Sequence, residues 1–578
     1  MKSVFKPTLF VLFFGVLGLH AQQTLPVNDA NLVQNFRNHV RYLASDELEG
    51  RLVGSNGEKL AYKYIAKQFK TLGIAPLGTK GSYLQPFTFT RLAYNPRSTY
   101  VSYIKRFKPG SAKMIHLPNY TQFYPIPSSG FGKVTAPVVY VGYGITTQDG
   151  SYDDYKYAGD VTGKILVITL GWPERKSDST KYAAYGDIQA KIDLATKRGA
   201  GAIILINDDS TNYLPKYKPY QTSAAAKQVN KIPVVLFPQP QSLEELSLFT
   251  VTVSVDTITR TITGHNVVGF IDNKAAKTVV IGAHYDHLGY NELGGSTYRN
   301  NQVEYPRIHN GADDNASGTA ALIELSGLLR KAAFTNNNYI LVAFSGEEEG
   351  LLGSNYFCKN SPVDTATLNY MINMDMIGRL DTLRHSFAIS GTGTSPTWNT
   401  ILPSVHTYGM KTKYSESGTG ASDHTSFYHI GVPALHYFTG THYSYHKPTD
   451  DEWRINYQGM LYIVKHIYEL VGKLDSEQAL AFKPTPEDTA SKMQFKVTLG
   501  IMPDYLYEGK GLKIDGVTPG KPAHLAGIIR GDVLVQLGNM QVDDINAYMK
   551  ALSTFNKGQT VEAMVVRAGS HIKLSVTF

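Results

Sequence analysis

The hydrophobic pattern along this chain changes period several times, and each change predicts a different kind of element. In NLVQNFRNHVRYLA (31–44) and GEKLAYKYIAKQFKTLGI (57–74) apolar residues recur at helical spacing. In the second run Leu60, Tyr64, Phe69 and Leu72 carry that stripe, and Gly73 ends the helix. The stretch SYLQPFTF (82–89) reads as extended. From about 110 to 258 the pattern becomes a series of short β runs, APVVYVGYG, GKILVITLG, GAIILIN and IPVVLFP, with one helix at IQAKIDLATKRGA. From 265 to 474 strands and helices alternate: TVVIGA, then a helix over NASGTAALIELSGLLRKAA, then YILVAFSG, LNYMINMD, SFAIS, VPALHYF and a last helix over WRINYQGMLYIVKHIYELVGKL. These strands are apolar throughout, which implies a mostly parallel sheet with both faces covered by helices.

The predicted fold is therefore mixed α/β, with a β-rich insertion and a small further domain at the end. The expected division is a core of 25–110 and 260–474, an insertion of 111–258, a Pro-, Glu- and Thr-containing linker at 475–490, and a C-terminal domain of 494–578. Residues 1–21 read as a secretory signal, with Lys2 and Lys6 before an apolar run from Thr8 to Leu19 and a cleavage site near Ala21. That run is short for a membrane span. The expectation is an exported protein, periplasmic or secreted, with no transmembrane segment.

Charge narrows the class of partner. The formal charge of +8 is spread along the chain rather than gathered in a block, and the signal's two lysines contribute to it. Solvated surface lysines account for it, and nucleic-acid binding is not expected. Cys358 is the single cysteine, so no disulfide forms within the chain and any zinc site must use His and carboxylate ligands.

Candidate chemistry sits in five segments: AHYDHLG (283–289), HNGADDNASG (309–318), FSGEEEGLLGS (344–354), NMDMIGR (373–379) and YHKPTDD (445–451). Most follow a strand-like run, and functional groups of open α/β sheets gather beyond the carboxyl ends of strands. Two metals held about 3.5–4 Å apart need a bridging group, for which a carboxylate suits. Asp314 is the candidate bridge, with Glu348 and His446 completing one metal and His284 and Asp375 the other. Asp286 is positioned to orient His284, and Asp450 to orient His446. Glu347 is the spare carboxylate: beside a ligand but pointing elsewhere, it can act as the general base. Glu349 is assigned neither job. Taken singly, each segment has a plainer reading, as a helix cap, a solvated acidic turn or a surface cluster. His309, His424, His429, His436 and His442 are expected to pack rather than ligate.

In order and spacing these segments resemble the co-catalytic di-zinc aminopeptidases, in the superfamily of glutamate carboxypeptidase and the transferrin receptor ectodomain. The resemblance covers about 31–110 and 260–474. It implies the zinc exopeptidase fold, two zinc ions per chain, His284, Asp314, Glu348, Asp375 and His446 as ligands and Glu347 as the base. It also implies a cis peptide at Asp314–Asn315, and a tyrosine, Tyr445, that hydrogen-bonds the scissile carbonyl. Asp423 and His424 look like the family's pocket segment. The insertion resembles a protease-associated domain. The C-terminal region resembles a PDZ domain, with LGIM (499–502) as the loop that would hold a peptide's C-terminus. The implied activity is removal of N-terminal residues from peptides with a free amine. The competing readings are a carboxypeptidase, a single-zinc glutaminyl cyclase on the same fold, and a non-enzymatic scaffold. The loop between His287 and His309 is expected to line the active-site mouth.

Overall fold

The computed structural model describes residues 28–108, 111–117, 123–126, 128–173, 182, 185–206, 230–237, 250–293, 295–298, 307–485, 497–504, 507, 509–517 and 521–578. The expected signal segment lies outside them.

Strands of the largest sheet alternate their side chains between two apolar cores, and this decides the layering. Val279, Ile281, Ala283, Leu341, Ala343, Ile372 and Met374 enter one core, where helices Asp29–Leu43, Asn56–Thr71, Gly318–Lys331 and Tyr457–Asp475 cover them. Val280, Ile340, Val342, Phe344 and Met371 enter the other, against Phe357 and Cys358 of helix Leu352–Lys359 and Phe427 of His424–Tyr428. Period-two alternation with both faces apolar is what a doubly covered sheet requires. The result is mixed α/β, its sheets flanked by helices.

Across this sheet the described strands run Ala75–Pro76, Thr257–Ile271, Asn337–Phe344, Lys277–His284, Leu368–Met374, Ala434–Phe438, Ser386–Ser390 and Lys411–Ser415, with Leu84–Tyr94 also paired to Thr257–Ile271. The centre is parallel. His284 pairs in register with Phe344, and Gly282 with Asn373, so the carboxyl ends of three strands finish level. That register puts His284, the turn after Phe344 and Asp375 on one edge.

Helix Asn56–Thr71 begins at Ser55, whose hydroxyl accepts the Glu58 N–H at 3.1 Å. Glu58 is buried and its carboxylate accepts bonds from Gly54 N, His265 N and the Ser345 hydroxyl. It ties the start of this helix to the strand end that precedes Glu347.

A second sheet runs Ser111–Leu117, Tyr100–Lys108, Thr250–Val255, Gly132–Tyr140, Ile165–Thr169, Ala202–Ile206, Val234–Phe237 and Tyr124–Pro125, over its own core. The Tyr100–Lys108 strand falls on the other side of the expected boundary at 110, yet it pairs with Thr250–Val255. The chain leaves the first sheet after Tyr94 and returns at Thr257, which are register partners. Sequence composition does not change at that crossing, because the strands on both sides are equally apolar.

The third sheet contains Ile501–Pro503, Leu512–Val517, Val533–Leu537, Thr560–Arg567 and Ser570–Thr577, with Met540–Gln541 beside Val533–Leu537. Part of the expected linker is docked on the first sheet's layer: Leu480 N donates to Asn369 and Lys483 N to the Thr394 carbonyl. No helix among the described residues is long and apolar enough to cross a membrane.

Candidate metal centre

Each acidic or imidazole group reaches the site through a backbone held by other buried bonds. Asp314 lies in the wide turn Ala312–Ser317 that opens helix Gly318–Lys331, and the Asp314–Asn315 peptide is cis. Asp450 accepts the N–H groups of both Asp313 (2.9 Å) and Asp314 (3.1 Å). Asn315 donates to the Met374 carbonyl, tying this turn to the strand that ends at Asp375. Asp375 accepts the Ser422 hydroxyl at 2.8 Å.

Four distances define the arrangement. His284 Nε2 is 3.2 Å from Asp375 Oδ1 and 3.4 Å from Asp314 Oδ1. His446 Nε2 is 3.1 Å from Asp314 Oδ2 and 3.3 Å from Glu348 Oε2. Ligand atoms bound tetrahedrally at zinc's usual N and O distances stand about 3.3 Å apart. The two oxygens of Asp314 thus face different groups, one with His284 and Asp375, the other with His446 and Glu348. His287 also converges with Asp314 and Glu348. Its Nδ1 is only 2.6 Å from Glu348 Oε1, which is a hydrogen bond rather than the spacing of two ligands on one ion. His287 is fully buried and missed by the sequence reading, since one imidazole in AHYDH already accounted for the ligand.

Electrostatics fit a cation between these groups. Burial works against charge on His446, but Glu348 and Asp314 outweigh it and raise the imidazole to about 9. Glu347 is pushed well above the usual carboxylate range by burial, reinforced by Asp375, Glu348 and Asp423 and opposed by His284. Without a metal His284 and His446 hold protons as counterions to the acids, while burial keeps His287 neutral. A divalent cation replaces those protons, because ligands bind deprotonated.

The remaining expected residues take varied places. Glu347 Oε2 is 4.0 Å from His284 Nε2, outside the ligand spacing, and its N–H donates to Asp286 Oδ1 at 3.2 Å. Asp286 Oδ1 lies 3.7 Å from His284 Nδ1, while the Asp286 backbone carbonyl is closer at 3.2 Å. Asp450 does not orient His446: its Oδ2 accepts the Asp313 and Asp314 N–H groups of the turn. His446 Nδ1 meets the Gly295 carbonyl at 3.1 Å instead. Gly295 belongs to the loop expected at the mouth, and Thr297 of the same loop donates to the backbone carbonyls of Tyr445 and His446. Tyr445 stacks on His446 with ring centroids 3.9 Å apart. Its hydroxyl is raised by burial and by nearby Asp314, Glu348 and Glu347. Glu349 turns away and pairs with buried Arg91. Among the histidines expected to pack, His442 meets Asp313 at 3.1 Å, and His424 stacks on His436.

Arg51 is the other residue the sequence reading passed over. It sits in SDELEGRLVGSN, which periodicity marks only as a break between helices. Its guanidinium is buried and donates to the carbonyls of Tyr285, Leu43, Asn310 and Gly311, on both sides of the site. Gly50 beside it has φ +70°, and a Cβ there would lie 2.6 Å from the carbonyl oxygens of Gly289 and His309. Gly50→Ala is expected to lower stability by about 2 kcal/mol or more. Thermal unfolding at saturating zinc tests this, and an unchanged midpoint would contradict it.

Residues 266–471 match the family model described as Peptidase family M28, and residues 134–243 that of the PA domain. The chain is 24% identical over 494 residues to aminopeptidase YwaD of Bacillus subtilis, covering 81% of this chain and 93% of that protein. It is 30% identical over 225 residues to the uncharacterized protein YfbL of Escherichia coli, covering 33% of this chain and 66% of that one. Among solved structures, BSAP, a zinc aminopeptidase from Bacillus subtilis, aligns at 19% identity with a TM-score of 0.42, covering 78% of this chain and 97% of that one. The sequence matches, with an acidic and imidazole site at the strand ends, define a zinc-dependent metallopeptidase, a hydrolase.

Proposed function

We propose that this chain is a di-zinc aminopeptidase that removes N-terminal residues from peptides with a free amine. The observation that carries the reading is the division of Asp314: Oδ1 at ligand spacing from His284, Oδ2 at ligand spacing from His446. Asp375 completes the first zinc site and Glu348 the second. A single-zinc cyclase has no use for a carboxylate shared in this way. The aminopeptidase by name among the relatives supports this direction of attack over a carboxypeptidase.

The two ions would supply Lewis acidity at the scissile carbonyl and make a coordinated water acidic near neutral pH. Glu347 takes the proton from the attacking water and returns it to the leaving amine. The Tyr445 hydroxyl donates to the carbonyl oxygen as negative charge builds there. Asp286 holds the Glu347 backbone, and His287 donates to the second oxygen of Glu348. Among the described residues the PA-domain insertion contributes none of the groups named here. In the same reading residues 1–21 direct export, the peptidase domain comprises 25–94 and 257–474, its first boundary moved back from 110 because the 100–108 strand joins the second sheet, and the C-terminal domain of 494–578 is PDZ-like and holds a peptide C-terminus.

Cleavage of matched free-amine and N-acetylated peptides, with and without a chelator, tests the function. The expected result is release of the first residue from free-amine peptides only, lost on chelation and restored by zinc, at two zinc ions per chain. One zinc at full activity would move the assignment to the cyclase, and cleavage of acetylated peptides from their C-terminus to a carboxypeptidase.

A further inference from the structure

The loop that carries Tyr445 and His446 begins where strand Ala434–Phe438 ends, and it forms no strand or helix of its own. On the peptidase side Thr439 is held at the Met376 carbonyl by its N–H and its hydroxyl, and His442 meets Asp313 at 3.1 Å. Tyr445 N then donates to the His442 carbonyl at 2.9 Å. The Tyr445 hydroxyl itself makes no hydrogen bond among the described residues. Its aim therefore follows from the backbone of this loop and from the stack on His446.

Between the holds at Thr439 and His442, Thr441 is anchored from outside the peptidase domain. Its hydroxyl donates to the carbonyl of Pro503, the last residue of strand Ile501–Pro503, at 3.1 Å. Two more bonds lie alongside: Arg384 donates to Asp504 at 2.7 Å, and Lys413 to the Tyr507 carbonyl at 2.8 Å. Strand register explains why they gather here. Phe438 pairs with Ala388 and Ser386 with Lys411, so the amino ends of Ser386–Ser390 and Lys411–Ser415 flank the carboxyl end of Ala434–Phe438. On the other side Asp504 N donates to the Lys513 carbonyl, and Lys513 Nζ lies 3.6 Å from the Asp504 carboxylate. Pro503 and Asp504 are thus fixed to their own sheet before they meet the loop.

We propose that the C-terminal domain is part of the catalytic apparatus: docked through Pro503, Asp504 and Tyr507, it braces the loop that aims the Tyr445 hydroxyl, with Thr441 and Arg384 as positioning residues. This rests on Tyr445 serving as the donor to the scissile carbonyl. A loop without regular structure lets such a hydroxyl drift unless it is held between its ends. A misplacement of about 1 Å in a reacting geometry costs up to about 100-fold in rate. The bond at Thr441 removes that freedom early in the loop, and the ion pair of Arg384 with Asp504 keeps its acceptor in place. The brace acts without any peptide bound to the C-terminal domain.

The test uses the zinc-loaded full chain and a free-amine peptide. Thr441→Val combined with Arg384→Met is expected to lower kcat about ten-fold with KM and zinc content unchanged, because a drifting oxyanion donor weakens the transition state alone. Thr441→Ser combined with Arg384→Lys keeps both donors and is expected to recover most of that loss. In a Tyr445→Phe background the first double substitution is expected to lower kcat no further, a dependence that a merely structural contact would not show. Unchanged kcat in the first double substitution overturns the proposal. So does a ten-fold loss that persists in Tyr445→Phe, or a loss of zinc, which would place the effect at His446. If Tyr445→Phe alone leaves kcat unchanged, the role of the tyrosine fails and this proposal with it, while the aminopeptidase reading stands. If the parent chain releases no first residue, the aminopeptidase reading itself fails.

Discussion

Glu347→Gln is expected to lower kcat by about three orders of magnitude while both zinc ions stay bound. General acid–base catalysis by a positioned side chain contributes about 10²–10⁴-fold, and here one group serves two proton transfers. The amide has the shape of the carboxyl group but cannot accept and return a proton. Zinc should persist because Glu347 Oε2 stands 4.0 Å from His284 Nε2, whereas the proposed ligand atoms stand at 3.1–3.4 Å. Steady-state turnover together with zinc content per chain decides the matter. Activity within ten-fold of the parent removes Glu347 as the base. Loss of a zinc ion would instead make it a ligand and disturb the division of roles with Glu348. Glu348→Gln should behave oppositely, losing metal first.

Arg51→Met is expected to cost about 3–5 kcal/mol of stability, because it strips donors from several buried carbonyls at once. Burial lowers this guanidinium to about 10, with Asp286, Asp314, Asp450 and Glu348 pulling the other way, so it remains a cation at neutral pH. The carbonyls it holds belong to Tyr285, directly after His284, and to Asn310 and Gly311, just before Asp314. Loosening them should also weaken zinc binding by about 10–100-fold, the usual effect of losing a partner behind a metal site. Arg51→Lys restores the charge but not the planar fork, so only part of the loss should return. Urea unfolding with and without chelator, and zinc competition with an indicator dye, read the two effects separately. A stability loss below about 1 kcal/mol would show that water satisfies those carbonyls and that Arg51 does not brace the site.

Much of this molecule could be read in one dimension. Continuous apolar runs such as TVVIGA and YILVAFSG predicted strands covered on both faces, because no polar side is left to face water. The acidic and imidazole residues just past those runs marked the site, since parallel strands in one sheet present their carboxyl ends on one edge. The crossing into the insertion was harder to read. Tyr100–Lys108 looks like any other strand, and only its partner, Thr250–Val255, reveals which sheet it joins.

Residue types and their order along the chain set the inventory by themselves: two imidazoles, three carboxylates and one spare acid, each at a strand end or loop. Tertiary structure decided who serves whom. It turned Asp450 from His446 to the backbone of Asp313 and Asp314, and gave His446 the Gly295 carbonyl instead. It brought in His287 through a hydrogen bond to Glu348, and Arg51 from more than two hundred residues away. The physical reason is one of range. Periodicity and spacing record which face of its own element a side chain occupies. Hydrogen bonds to buried backbone join distant segments, and any residue type with a donor can make them, so they leave no pattern in the sequence.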